Sequence, residues 1–137
     1  MDASHESMIV KSFFTQRVQD RVQQELSSPK KRLTALNRLC HRYEDTLVQE
    51  YLIEIPEQNS DYMDVFHLLQ QEGAEENCYA ISFHEKIDGR HLPLLDALKK
   101  AVGFGLPSLI SCIPGQLAYF ESGQEFGPPK RFIIKKA

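Results

Sequence analysis

The spacing of apolar residues changes partway along the chain, and this change constrains the fold more than any other sequence feature. In residues 7–27 an apolar side chain recurs at every fourth position: Val10, Phe14, Val18, Val22 and Leu26. That period is typical of one face of an α-helix. From Cys78 onward, short apolar runs separated by turn residues indicate β-strands instead. The order predicts an α+β fold, with its helices mainly in the first half.

We expect two N-terminal helices and a third helix packed on a sheet. The first helix covers residues 7–27, and Ser28 can cap the second, whose apolar face carries Leu33, Leu36, Leu39, Cys40 and Tyr43. The third helix follows the cap Ser60-Asp61 and ends at Gly73. Residues 44–56 fit either a helix or a strand, and we favour a helical start with a strand before Pro56.

Five segments have the character of strands, which predicts a mainly antiparallel sheet of about four to five strands. They are residues 51–55, 78–83, 109–113, 116–120 and 131–134. Asp88-Gly89 and Pro114-Gly115 are turn signals, and Pro93 begins a short helix. Residues 122–129 are predicted to form a polar loop.

The length of 137 residues predicts one domain covering the whole chain. Residues 1–7 are polar and acidic, so we expect them to be disordered and not to act as a secretory signal. The longest apolar stretch, near residues 106–113, is far shorter than a membrane span of roughly 20 residues. Three widely spaced cysteines predict reduced thiols and a cytoplasmic protein with no membrane association.

Charge is divided into three blocks along the chain. Residues 44–77 contain ten acids and no Lys or Arg, whereas the flanking segments carry net charges of +4 and +3. This segregation favours a non-catalytic protein-interaction or regulatory module, with a basic protein or a second copy of the chain as its partner. The candidate binding residues of this acidic face are Glu50, Glu54, Glu57, Asp61 and Asp64.

A basic segment around residues 30–42 supports a second hypothesis, nucleic-acid binding. Its candidate phosphate contacts are Lys30, Lys31, Arg32, Arg38 and Arg42. If these side chains line one exposed face, phosphate is a suitable partner. The alternative is that the acidic segment neutralises them within the protein or between two copies.

Residues 84–91 support a third hypothesis, a small hydrolase. His84, Glu85, Arg90 and His91 can supply a general acid, a general base and an anion contact. The simpler interpretation is a solvated hairpin tip around Asp88-Gly89, where polar residues are usual.

The sequence predicts no metal and no cofactor. It contains neither a Cys-x-x-Cys nor a His-Glu-x-x-His pattern. Gly103-Phe104-Gly105 follows a helix and precedes a strand, the reverse of a phosphate-binding turn. Cys112 lies in an apolar run, which favours packing in the core over an activated thiol.

Overall fold

A computed structural model describes residues 1–59, 61–123 and 129–136 of the chain. Its centre is one six-stranded sheet in which every neighbouring pair of strands is antiparallel. The strands are β1 (Leu52–Glu54), β2 (Asn77–Ser82), β3 (Arg90–Pro93), β4 (Ser108–Ile113), β5 (Leu117–Glu121) and β6 (Arg131–Lys135). Their order across the sheet is β1-β6-β5-β4-β2-β3, so β1 and β3 form the two opposite edges.

Helices cover both faces of this sheet. They are α1 (Ala3–Phe13), α2 (Gln16–Ser27), α3 (Arg32–His41), α4 (Tyr43–Thr46), α5 (Tyr62–Gln71) and α6 (Leu94–Ala101). The first three helices share one apolar core with the sheet, whereas α5 and α6 share a second core on the other face. Successive strand residues alternate between the two cores, as Tyr79 and Ala80 of β2 do.

The predicted α+β class and the mainly antiparallel sheet are confirmed. The sheet has six strands because β3, which lies in the polar segment after the Asp88-Gly89 turn, pairs with β2. Only four residues long and mostly exposed, β3 carries no apolar alternation that would mark it in the sequence. The helical start and strand finish expected in residues 44–56 are confirmed by α4 and β1.

The single helix predicted over residues 7–27 is wrong, because Phe14 and Thr15 divide it into α1 and α2. Phe14 is extended and forms an isolated antiparallel bridge with Leu47. The N–H of Thr15 donates to the carbonyl of Thr46 at 2.8 Å. The N–H of Val48 donates to the carbonyl of Phe13 at 2.9 Å. These bonds to a distant segment replace the helical bonds that an unbroken helix would have made.

Residues 3–7, within the segment that the sequence predicts to be disordered, form the start of α1. The side chain of Asp2 caps this helix by accepting the N–H of His5 at 3.0 Å. An aspartate at this position satisfies a backbone donor that would otherwise have no partner.

Asp61 caps α5 by accepting the N–H of Tyr62 at 2.8 Å, as the sequence predicts. Its expected partner in that cap, Ser60, lies outside the described residues, as do residues 124–128 of the predicted polar loop. Within the described part of the chain, the model contains no helix with the length and apolar character needed to cross a membrane.

Candidate functional site

A buried arginine joins three separate elements of the fold. Arg32, at the start of α3, makes a two-bond ion pair with Glu6 of α1 (2.7 Å for each bond) and another with Asp88 (2.8 and 2.9 Å). It also donates to the carbonyl of Leu26, and the hydroxyl of Tyr79 donates to Glu6 at 2.5 Å. We call Arg32, Glu6, Asp88 and Tyr79 the Arg32 network; it fixes α1 and α3 against the β2–β3 hairpin.

The Arg32 network keeps its guanidinium charged despite burial. Arg32 is 6% exposed, and burial alone would lower its pKa. The hydrogen bonds and charges of Glu6 and Asp88 outweigh that effect, so the net pKa of Arg32 is raised. Asp88 is itself held by the N–H of Ser82, which donates to it at 2.9 Å.

The predicted exposed basic face therefore loses its central members. Arg32 is buried, and Arg38 makes a two-bond ion pair with Glu25 of α2, at 2.9 Å for each bond. Lys30, Lys31 and Arg42 are exposed as expected. Arg32 thus pairs with Glu6 of α1 and with Asp88, and Arg38 pairs with Glu25 of α2; among the described residues, neither arginine pairs with the acidic segment 44–77.

The residues predicted for a small hydrolase do not form one site. The ring of His84 packs against Phe104, with 4.7 Å between ring centroids. His91 instead lies on the β3 edge, where its Nε2 is 2.9 Å from Oδ2 of Asp2. Glu85 and Arg90 are exposed, and no side-chain hydrogen bond or ion pair links these four residues in the described part of the chain.

A cluster of two histidines and an aspartate lies beside the Arg32 network. His5 and His91 are 5.1 Å apart between ring centroids, and the ring of Tyr79 lies 4.8 and 4.7 Å from them. The Nε2 of His5 is 3.4 Å from Oγ of Ser111. We call Asp2, His5 and His91 the β3-edge cluster.

Electrostatics within the β3-edge cluster favour a neutral His5 and an ionised Asp2. Burial lowers the pKa of His5, and electrostatic repulsion from the nearby His91 lowers it further. The hydrogen bond from the backbone N–H of His5 lowers the pKa of Asp2, and the side-chain hydrogen bond with His91 lowers it further.

The five predicted acidic residues lie around edge strand β1 and the start of α5. Asp61 caps α5 and Asp64 lies in its first turn, where carboxylates are stabilised by the helix dipole. Glu50, Glu54 and Glu57 are exposed; we call these three the acidic edge. Within the described residues, none of the three makes an ion pair.

The glycine-rich segment 103–105 does bind an anion, and that anion belongs to the protein. The carboxylate of Glu121, fully buried on β5, accepts the N–H of Gly103 at 2.9 Å and that of Gly105 at 3.4 Å. It also accepts from Tyr119 and from Arg131, each at 3.0 Å. The backbone donors of this turn are thus occupied by an internal partner.

The buried thiols and a pocket between α1 and α2 offer little chemistry. Burial raises the pKa of Cys78 to about 12 and raises that of Cys112 as well, so neither supplies a thiolate near neutral pH. A pocket of about 480 Å³ lies between α1 and α2, and its carboxylate, Glu6, is already bonded to Arg32 and Tyr79.

Comparison of the chain with protein-family models, with curated proteins and with solved structures found no match.

Sequence reasoning missed the β3-edge cluster because His91 is far from Asp2 and His5 in the chain. Asp2 and His5 are three residues apart, and the capping preference of aspartate could have placed them on one helical turn. His91 follows 86 residues after His5, and no local pattern indicates that β3 approaches α1.

Proposed function

We propose that the protein is a non-catalytic interaction module that binds a basic protein partner at the acidic edge. The main support for this proposal is that, within the described ranges, three arginines are paired with carboxylates while the acidic edge is not paired with cations. Arg32, Arg38 and Arg131 have carboxylate partners elsewhere in the chain, whereas Glu50, Glu54 and Glu57 make no ion pair among the described residues. Three solvated carboxylates around one strand create a local negative potential that attracts a cationic partner.

The strand beneath these carboxylates is suited to pairing with a further strand. β1 is the first strand of the sheet order, so no strand of the described residues pairs with its outer side. Ile53, at its centre, is 50% exposed and offers an apolar contact between the acids. An extended peptide can add to such an edge through main-chain hydrogen bonds, with side-chain contacts determining specificity.

The sign of the charge argues for a basic partner over a second copy of this chain. Edge-to-edge pairing of two β1 strands would bring the acidic edges of both copies together, and like charges across a strand pair are destabilising. Charged residues on edges commonly oppose self-association in this way. A lysine-rich or arginine-rich strand meets attraction at the same positions.

A direct test uses a fluorescein-labelled extended peptide in which Lys alternates with Val, and a second peptide with Glu in place of Lys. Fluorescence anisotropy at increasing NaCl measures their affinity for the full chain. We expect the Lys peptide to bind with salt-sensitive affinity and the Glu peptide not to bind. Each exposed ion pair contributes about 0.2–1 kcal/mol, so Glu50→Gln/Glu54→Gln/Glu57→Gln should weaken binding roughly 3- to 150-fold.

The matched control is Glu75→Gln/Glu76→Gln/Glu85→Gln, which removes the same charge at exposed acids outside the acidic edge. It should weaken binding only slightly. Equal weakening by both triple variants would show that net charge alone is responsible and would refute a site at β1. Ile53→Ser should lower the affinity by a similar factor at low and high salt, since it removes an apolar contact.

A further inference from the structure

The β3-edge cluster brings together three side chains whose donor atoms suit a metal ion. Asp2 caps α1, His5 lies in the first turn of that helix, and His91 comes from β3. Each offers one ligand atom, and these atoms all lie within 4.8 Å of one another. The spacing is set by two elements of fixed secondary structure.

The donor set selects for a transition metal. Two imidazoles and one carboxylate suit Zn²⁺ and neighbouring first-row cations, whereas Mg²⁺ and Ca²⁺ prefer sites made entirely of oxygen ligands. The Nε2 of His91 and Oδ2 of Asp2 are now 2.9 Å apart. Two ligands about 2.0 Å from a tetrahedral ion lie about 3.3 Å apart, so an ion can replace this hydrogen bond with a movement of a few tenths of an ångström.

Outer contacts hold the three side chains in place. The second oxygen of Asp2, Oδ1, accepts the N–H of His5, and the hydroxyl of Ser111 lies 3.4 Å from the His5 ring. The ring of Tyr79 packs against both imidazoles, while its hydroxyl is anchored on Glu6. Such partners orient ligands and increase metal affinity.

We propose that Asp2, His5 and His91 bind one divalent transition-metal ion of the Zn²⁺ type. With three protein ligands, the ion retains a coordination position for water or for a donor from another molecule. That position faces solvent, since the side chains of His91 and Asp2 are 55% and 41% exposed. This metal centre is independent of the acidic edge, because β1 and β3 are opposite edges of the sheet.

The test titrates ZnCl₂ into the full chain, prepared without a histidine tag, and follows binding by isothermal titration calorimetry. The ligand variants are Asp2→Asn, His5→Gln and His91→Gln. Asn retains the helix cap while losing the charge, so Asp2→Asn separates ligation from folding. The matched controls are His67→Gln and His84→Gln, which remove imidazoles outside the cluster.

We expect one Zn²⁺ per chain for the wild type and for both controls. Each ligand variant should bind at least roughly 10- to 100-fold more weakly, the loss seen when even an outer partner of a metal site is removed. Co²⁺ should give the visible absorption of a tetrahedral site in the wild type and not in His5→Gln, with circular dichroism confirming that the variant is folded. Absence of saturable wild-type binding, or wild-type affinity in His5→Gln, would overturn the three-ligand site.

Discussion

Replacing Arg32 by Met should destabilise the protein strongly, because it leaves two acids of the Arg32 network without their cation. Glu6 is 5% exposed, and its charge is compensated by two bonds of 2.7 Å to the guanidinium. Breaking a buried ion pair by removing one partner costs about 3–5 kcal/mol, whereas the methionine side chain retains most of the apolar contacts. For a chain of this size, that loss lowers the melting temperature by roughly 10–17 °C.

Urea denaturation of wild type and Arg32→Met measures this free energy, provided that the slope of the transition is unchanged. The control is Lys135→Met, which breaks the 2.6 Å ion pair with Glu72. The side chains of that pair are 51% and 31% exposed, so its loss should cost about 0–1 kcal/mol. The double variant Glu6→Gln/Arg32→Met should be more stable than Arg32→Met alone, since the uncompensated charge of Glu6 is gone. The reasoning is refuted if Arg32→Met unfolds within 1 kcal/mol of wild type, or if the effects in the double variant simply add.

Three further predictions test other parts of the fold. Glu121→Ala should cost about 3 kcal/mol or more and speed amide exchange at Gly103, because it removes the buried carboxylate that accepts from Gly103, Tyr119 and Arg131; unchanged exchange at Gly103 would contradict this. Burial raises the pKa of Cys78 from 9.0 to about 12, so unfolding releases its proton above pH 9 while the folded thiol stays protonated. Stability should therefore be full below pH 9 and fall between pH 9 and 12 by about 1.4 kcal/mol per pH unit from this group; urea titrations from pH 8 to 11 should show a smaller decrease in Cys78→Ala. Leu33, 55% exposed, should tolerate Leu33→Lys within about 0.5 kcal/mol, whereas Leu36→Ala in the core should cost about 2–5 kcal/mol by the same denaturation assay.

Much of the secondary structure could be predicted because it depends on local patterns. Val22 and Leu26 are buried on α2 as their spacing indicates, and Asp61 caps α5. The errors arise where a distant segment decides the local conformation. The bridge between Phe14 and Leu47 ends α1, although the apolar period continues through it. Propensity is a weak prior that tertiary contacts commonly override.

Burial of Arg32 shows why the functional residues were harder to predict than the helices. In the sequence it stands between Lys31 and Leu33, and the simplest interpretation exposes the cation and buries the leucine. The structure does the opposite: Arg32 is 6% exposed and Leu33 is 55% exposed. The acids of α1 and the β2–β3 turn, Glu6 and Asp88, compensate the buried charge, and neither is near Arg32 in sequence.

The two proposed sites lie at opposite edges of the sheet, which makes their tests independent. Five strand spacings of about 4.8 Å place β1 and β3 roughly 24 Å apart. A charge at one edge is therefore screened from the other at physiological salt, where the Debye length is about 8 Å. Loss of zinc in His91→Gln should leave affinity for the Lys peptide unchanged, and removal of the acidic edge should leave zinc affinity unchanged. If each change affected both ligands, the common cause would be damage to the sheet that joins the two edges, and neither site could be assigned from its own variants.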